Sequence, residues 1–347
     1  MTIGFGVIGC GTISHFHAAA IKALDNARLV GCFSRRSTSS QTFAERHDCR
    51  VFGSLQEMLA DQNIQVVTIC TPSGAHLEPA VAAAQAGKHV VIEKPLEVTL
   101  ERCDTIIQAC KQAGTLLSVV FQSRFHGAVQ RLKHAIESGR FGTVVLANAY
   151  VKWYRTQEYY DSGAWRGTWH LDGGGALMNQ AIHNIDLLLW MMGPVTELTA
   201  FTATLGHERI EVEDTAVASL RFKNGALGSI EATTSAFPGS LKRIEIYGSQ
   251  GSAIVEEESI KLWQFARPLP EDAAIVAQST QQTSGGGAGD PTAISYVGHT
   301  KQFQDIIDAI QDKRSPLIDG HAARTSVEII CGIYQSAAER RTIVFDH

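Results

Sequence analysis

Glu93-Lys94 closes a short apolar run, His89–Ile92, and Pro95 follows. In a doubly wound sheet, such a strand end delivers charge into the crevice where ligands bind. The bland reading is a surface ion pair ahead of a turn. Farther along, Asn179, His183 and Asp186 stand four and then three residues apart, so they share one face of a helix. An imidazole, with an ordinary pKa of about 6.5, can take a hydroxyl proton near neutrality. A lone histidine on a half-buried helix is more often a satisfied core residue. Gly173-Gly174-Gly175, just ahead, weighs toward a site, because glycines let a backbone and a bulky ligand approach the helix start. Gly9-Cys10-Gly11-Thr12-Ile13-Ser14 follows the first apolar run and opens a helical pattern. There the first glycine permits a tight turn, the second lets backbone approach a pyrophosphate, and the helix start supplies N–H groups. Ser14 replaces the third glycine of that fingerprint. Ser34-Arg35-Arg36-Ser37 stands where an Asp or Glu would bind both ribose hydroxyls of NAD. Two guanidinium groups there suit a 2′-phosphate, which favours NADP over NAD.

These residues need elements to carry them. Ile3–Ile8, Leu29–Phe33, Val51-Phe52, Val66–Cys70, His89–Ile92 and Leu116–Phe121 read as strands separated by helical patterns. Strands that are apolar throughout and alternate with helices make a parallel sheet covered on both faces, a doubly wound dinucleotide fold. After Phe121 the texture changes. A helix at Ala128–Glu137 leads into alternating segments at Val144–Tyr150, Leu198–Thr204, Thr215–Phe222, Gly228–Thr234, Arg243–Tyr247 and Ile260–Gln264. Turn signals separate several of them, as in an antiparallel sheet. The fold class is therefore α/β: an N-terminal Rossmann domain over 1–121, then a second domain over 122–347 that ends in helices at about 299–311 and 322–340. Gln278–Gly289, rich in Gln, Ser and Gly, is expected to be a mobile loop.

Composition narrows the classes. With 347 residues, 44% apolar and 19% charged, the chain has material for two cores. Its formal charge is −5 and it holds no basic stripe, which argues against nucleic acid as a partner. No apolar run reaches the roughly 18 residues of a membrane span. The start, Met1-Thr2-Ile3-Gly4-Phe5, has no basic region and reads as a strand, so no signal peptide is expected. Seven cysteines, scattered and never as C-x-x-C, argue against disulfides and zinc and fit a reducing cytoplasm. No metal is expected.

Together the motifs resemble those of the Gfo/Idh/MocA oxidoreductases, over nearly the whole chain. The resemblance rests on Gly9–Ser14, Thr71-Pro72-Ser73 with His76, and Gly87-Lys88-His89-Val90 leading to Glu93-Lys94-Pro95. The Asn179–His183–Asp186 helix and the closing Tyr334-Gln335-Ser336-Ala337 complete it. It implies a Rossmann domain followed by an α/β domain with a large, mainly antiparallel open sheet that forms homodimers or homotetramers. Lys152–Arg155, Tyr159-Tyr160 and Trp165–Thr168 give a looser similarity to nucleotide-sugar 3-dehydrogenases acting on UDP-N-acetylglucosaminuronate. The arginines at 35 and 36 depart from that group's NAD preference.

What the resemblance implies is hydride transfer between a nicotinamide and a secondary alcohol of a sugar, polyol or sugar acid. Lys94 and His183 would be the catalytic pair, with Asn179, an Asp in inositol dehydrogenase-like members, orienting substrate or His183. Cofactor residues would be Gly9, Gly11, Thr12, Ile13, Ser34 and Arg35, with Thr71, His76, Glu93, Lys94 and Gln122 along the nicotinamide half. Arg155, Tyr160, Arg166 and Asn179 are the substrate candidates. Two alternatives remain: a glycosidase that uses NAD for transient oxidation, and a non-catalytic dinucleotide-binding regulator, which would need neither Lys94 nor His183.

Overall fold

The computed structural model describes residues 2–279 and 295–346. The chain divides into two units, Met1–Gln122 with Ser295–Val327, and Ser123–Ile294 with Glu328–His347.

In the first unit six strands form one sheet: β1 (Ile3–Ile8), β2 (Ala27–Phe33), β3 (Arg50–Val51), β4 (Val66–Ile69), β5 (His89–Ile92) and β6 (Leu117–Val119). Their order is β3-β2-β1-β4-β5-β6, and every pair is parallel. Strands β1 and β4 are buried along their whole length, as uniformly apolar runs in a sheet covered on both faces must be. The order reverses between β1 and β4. Ligands of such folds bind beyond the carboxyl ends of the strands at this reversal, where the chain holds Gly9 and Thr71.

A second domain running unbroken over 122–347 does not hold. Residues 295–327 belong with the first unit. The helix Val297–Asp312 places Phe303, Ile306 and Ile307 in one buried cluster with Ile3, Phe5, Ile21, Val66 and Val91. Phe303 meets the Phe5 ring edge-on at 5.5 Å. Burying one such side chain contributes about 2 kcal/mol, so this apolar stripe is reason enough for the helix to return. Gln302 adds polar anchorage, accepting the Phe121 N–H at 3.1 Å and donating to the Val119 carbonyl at 2.7 Å.

The second unit carries an eight-stranded sheet: β7 (Val144–Lys152), β8 (Val195–Ala203), β9 (Thr215–Phe222), β10 (Leu227–Thr233), β11 (Arg243–Gly248), β12 (Gly251–Glu256), β13 (Ser259–Phe265) and β14 (Ile343–Val344). The order is β13-β12-β11-β7-β10-β9-β8-β14. Every pair is antiparallel except β7 with β10. Strand β9 alternates strictly, with Ala216, Ala218, Leu220 and Phe222 turned inward. The helix Ile182–Met192 is apolar nearly all round, and Ile182, Ile185 and Leu188 are fully buried. Asn184 ties it to β11 by donating to the Arg243 carbonyl at 3.1 Å. No helix among the described residues is long and apolar enough to cross a membrane. The glycine-rich part of Gln278–Gly289 lies outside the described residues; the helix Asp272–Ser279 ends at its start.

Candidate active site

The first unit places the residues expected to hold a dinucleotide at or just beyond the strand ends. Gly9 has φ +90°, and a Cβ there would come within 2.8 Å of the Cys70 backbone, so only glycine fits the turn. Gly11 caps the helix Thr12–Lys22 without a side chain, and a Cβ there would meet nothing within 4 Å. That open space above the first helical N–H groups suits a pyrophosphate at Gly11, Thr12 and Ile13. Ser14 is buried and donates to the Gly11 carbonyl at 2.5 Å, filling the third-glycine position from within the turn. Ser34 is half-buried just past β2, while Arg35 and Arg36 are exposed and enter no ion pair among the described residues. Gln122 is buried, and its Oε1 has no hydrogen-bond partner among the described residues. An acceptor left over in this way matches an amide N–H such as that of a nicotinamide carboxamide. These residues fit a dinucleotide.

His76 plays a different part from the one its sequence position suggests. It is fully buried, with Nδ1 3.0 Å from the Pro95 carbonyl and Nε2 3.0 Å from the Thr71 carbonyl. Its ring braces the Thr71 turn against the turn after Lys94 instead of lining a ligand surface. Burial lowers its pKa; a neutral imidazole carries one N–H, so it donates to one of these two carbonyls and only packs against the other. Thr71 donates its own hydroxyl to the Ala75 carbonyl at 2.9 Å.

Lys94 is half-buried, and its backbone N–H donates to Glu93 Oε2 at 3.1 Å. Glu93 Oε1 lies 2.7 Å from His17 Nε2, and His17 Nδ1 lies 2.6 Å from the Thr68 hydroxyl. Burial disfavours the Glu93 anion, yet the His17 hydrogen bond and the electrostatic influence of His17, His299 and Lys94 bring its pKa below the ordinary carboxylate value. Glu93 is thus a buried anchor for the backbone of Lys94. His299 completes a cluster with His17 and Glu93, its Nε2 3.9 Å from Glu93 Oε1. Ligands held at about 2.1 Å on a tetrahedral metal stand about 3.4 Å apart, so the 2.7 Å contact reads as a hydrogen bond.

In the second unit the helix segment begins with a π-helical turn, Ala176–Ala181, and continues as Ile182–Met192. Asn179 and His183 are both half-buried on it. Asp186 is not part of that site: it is buried, and Arg124 binds it bidentately at 2.6 and 2.8 Å. Asn179 donates to Asp172 Oδ1 at 2.5 Å, and Asp172 Oδ2 accepts the Gly167 N–H at 2.9 Å. The glycines ahead of the helix answer to the protein's own packing. A Cβ on Gly174 would lie 2.0 Å from the Tyr334 hydroxyl, and one on Gly175 would lie 1.8 Å from the Glu213 carbonyl. Their smallness admits Tyr334 and Glu213, which corrects the expectation that they open a path for ligand.

The substrate candidates separate as well. Arg155 is buried and donates to Gln180 Oε1 at 3.1 Å, while Gln180 donates to the Tyr159 hydroxyl at 3.0 Å. Arg155 lies 4.9 Å from the Trp153 ring centre, and Arg166 lies 4.3 Å from that of Tyr159 and 4.8 Å from that of Trp165. Arg166 Nε is buried and has no hydrogen-bond partner among the described residues. Tyr160 does not join this group. It is buried, its hydroxyl pairs with Thr234 at 2.8 Å, and burial pushes its pKa up. Tyr159, its half-buried neighbour, takes the place expected for it.

Two family models match the chain: the oxidoreductase family with an NAD-binding Rossmann fold over residues 3–121, and the GFO/IDH/MocA C-terminal domain over residues 129–254. The chain belongs to the GFO/IDH/MocA oxidoreductase family. Like its relatives, this GFO/IDH/MocA protein is an NAD(H)-binding enzyme that transfers hydride between nicotinamide and an alcohol of a sugar or polyol. It is similar to the WlbA dehydrogenase of Bordetella pertussis, crystallised with NADH and UDP-GlcNAcA. That match has 38% identity and a TM-score of 0.90 over 100% of this chain and 98% of that one. The WlbA dehydrogenase of Chromobacterium violaceum, with the same two ligands, gives 34% and 0.88 over 99% and 96%. The myo-inositol 2-dehydrogenase of Thermotoga maritima is 32% identical over 251 residues, 71% of this chain and 73% of that protein.

Sequence reading did not single out Asp172, Tyr159, Gln180 or the Glu213–Tyr334 contact, which the structure places against the candidate residues. An Asp directly before three glycines was a usable signal for Asp172. Glu213 left none, since its partners are backbone N–H groups 36 and 38 residues away.

Proposed function

We propose that this enzyme oxidises a secondary hydroxyl of a nucleotide-linked sugar acid of the UDP-N-acetylglucosaminuronate type. The observation that carries the reading is the group of Arg155, Arg166, Tyr159 and Gln180 in a chain 38% identical, end to end, to a dehydrogenase holding that sugar. Two guanidinium groups over one tyrosine suit a carboxylate or diphosphate, which a free polyol lacks.

His183 takes the hydroxyl proton as hydride leaves the carbon, and the C–O bond becomes C=O. Lys94 donates a hydrogen bond to the same oxygen and stabilises its developing negative charge. Asn179, held by Asp172, orients the sugar. Gly9, Gly11, Thr12 and Ile13 hold the pyrophosphate, and Gln122 and Thr71 border the nicotinamide. The nicotinamide, when bound, supplies the hydride acceptor. With Ser34, Arg35 and no carboxylate after β2, the site takes the 2′-phosphate, so NADP(H) binds at least as tightly as NAD(H). The enzyme works in the cytoplasm as a homodimer or homotetramer built on its eight-stranded sheet; Cys10, Cys32, Cys49, Cys70 and Cys110 standing as thiols fit a reducing compartment.

A substrate panel tests the reading. Reduced nicotinamide should form faster with UDP-N-acetylglucosaminuronate than with UDP-N-acetylglucosamine, the free uronate, myo-inositol or levoglucosan. Faster turnover of a free polyol contradicts it.

A further inference from the structure

Glu213 is a carboxylate that the hydride chemistry does not use, and it is almost fully buried. Its Oε2 accepts the Gly175 N–H at 3.0 Å. Its Oε1 accepts the Leu177 N–H at 2.8 Å and the Tyr334 hydroxyl at 3.1 Å. Its backbone carbonyl takes the Ala176 N–H at 3.0 Å. Three successive N–H groups therefore end on one residue, at the entrance to the segment that carries Asn179 and His183. Such groups at a helix start have no partner within the helix, and a buried start needs one from outside. The packing is tight: neither Gly174 nor Gly175 leaves room for a Cβ beside Tyr334 and Glu213.

We propose that Glu213, braced by Tyr334, is a positioning residue whose carboxylate clamps the Gly175–Leu177 entrance and so fixes the aim of Asn179 and His183. The proposal rests on the reading of those two as site residues. The clamp needs both oxygens as acceptors, because its donors are divided between them. A glutamine offers one oxygen and one NH2, so it loses at least one of the contacts. Burial lifts the Glu213 pKa to about 7, although the two N–H groups and the Tyr334 hydroxyl pull it down. The titratable groups that interact with it are Tyr334, itself close to Cys331, and Tyr160, itself close to Asp172. Burial raises both tyrosines, so they stay neutral through this range. The clamp tightens as Glu213 ionises, and turnover gains from it as pH rises through about 7.

The test uses the full-length enzyme and the variants E213Q, E213D, Y334F and H183A. Turnover, KM, dinucleotide affinity and hydrogen–deuterium exchange over residues 173–181 are measured. E213Q should lower kcat roughly tenfold, about the worth of one hydrogen bond to a charged group, and speed exchange over 173–181. Dinucleotide affinity should not change. E213D, which keeps two acceptor oxygens, should recover part of kcat. Y334F removes a donor from the carboxylate, so the rising limb of kcat should move to higher pH. Wild-type turnover and exchange in E213Q, beside a crippled H183A, overturn the clamp and leave the role of His183 standing. Normal turnover in H183A overturns the reading beneath it. If E213Q does not fold, an unmoved limb in Y334F overturns the clamp by itself.

Discussion

Asn179 gives its amide N–H to the buried carboxylate of Asp172 at 2.5 Å. A carboxylate thus stands one layer back from the helix, behind a neutral amide. Asp172 also holds the Gly167 N–H, so the loop and the helix are fixed by one group. Removing a partner of a charged hydrogen bond costs about 1.5–3 kcal/mol. Asp172→Ala should therefore lower kcat about tenfold to a hundredfold, with dinucleotide affinity unchanged. Steady-state kinetics beside a dinucleotide titration decide it; equal losses in both would mean general unfolding.

In the proposed reading, cofactor choice rests on Arg35. A charge-assisted pair with the 2′-phosphate should contribute about 1.5–3 kcal/mol, or about tenfold to a hundredfold in affinity. Arg35→Asp should weaken NADP by that factor and leave NAD unharmed or improved. Side-by-side titrations of the wild type come first. NAD binding tighter than NADP would show the assignment to be wrong.

Arg166 offers a test of the sugar acid. Arg166→Met keeps bulk against Tyr159 and removes the charge. KM for the uronate-bearing nucleotide sugar should rise about tenfold or more, and KM for its neutral counterpart much less. Equal rises for the two sugars would assign Arg166 to the diphosphate.

Glu93 and Glu213 should shape stability against pH in opposite ways. The folded pKa of Glu93 lies below its ordinary value, so its contribution is present above that value and is lost as pH falls through the folded one. That of Glu213 is raised from 4.5 to about 7, so the stability linked to its neutral form is fully present below pH 4.5 and is lost as pH rises through about 7, because the burial cost of the anion outweighs the hydrogen bonds the ionised clamp gains. Melting temperatures across this window should decline less steeply in Glu213→Gln than in the wild type. Parallel curves would remove Glu213 as the cause.

Much of this was legible in the sequence, for identifiable reasons. Strands such as Val66–Ile69 are buried on both faces and read as apolar throughout. Gly9 was legible because its conformation admits no other residue. Strand β12 was missed because its inward residues, Ala253 and Val255, are no more apolar than the outward-facing Ile254. The parallel pairing of β7 with β10 was hidden because alternation marks a face and not a direction. Tyr159 and Tyr160 could not be separated by spacing; Thr234, 74 residues on, decides which one is spent on the core.

If His183 takes the substrate proton, His183→Ala must remove it from the chemical step. The measurement is kcat per folded active site, with the melting temperature and the dinucleotide affinity taken on the same preparation. kcat should fall about 10²–10⁴-fold, the usual worth of a positioned general base, with dinucleotide affinity nearly unchanged. Normal turnover in the folded fraction, together with a lowered melting temperature, would contradict it and return His183 to a structural role.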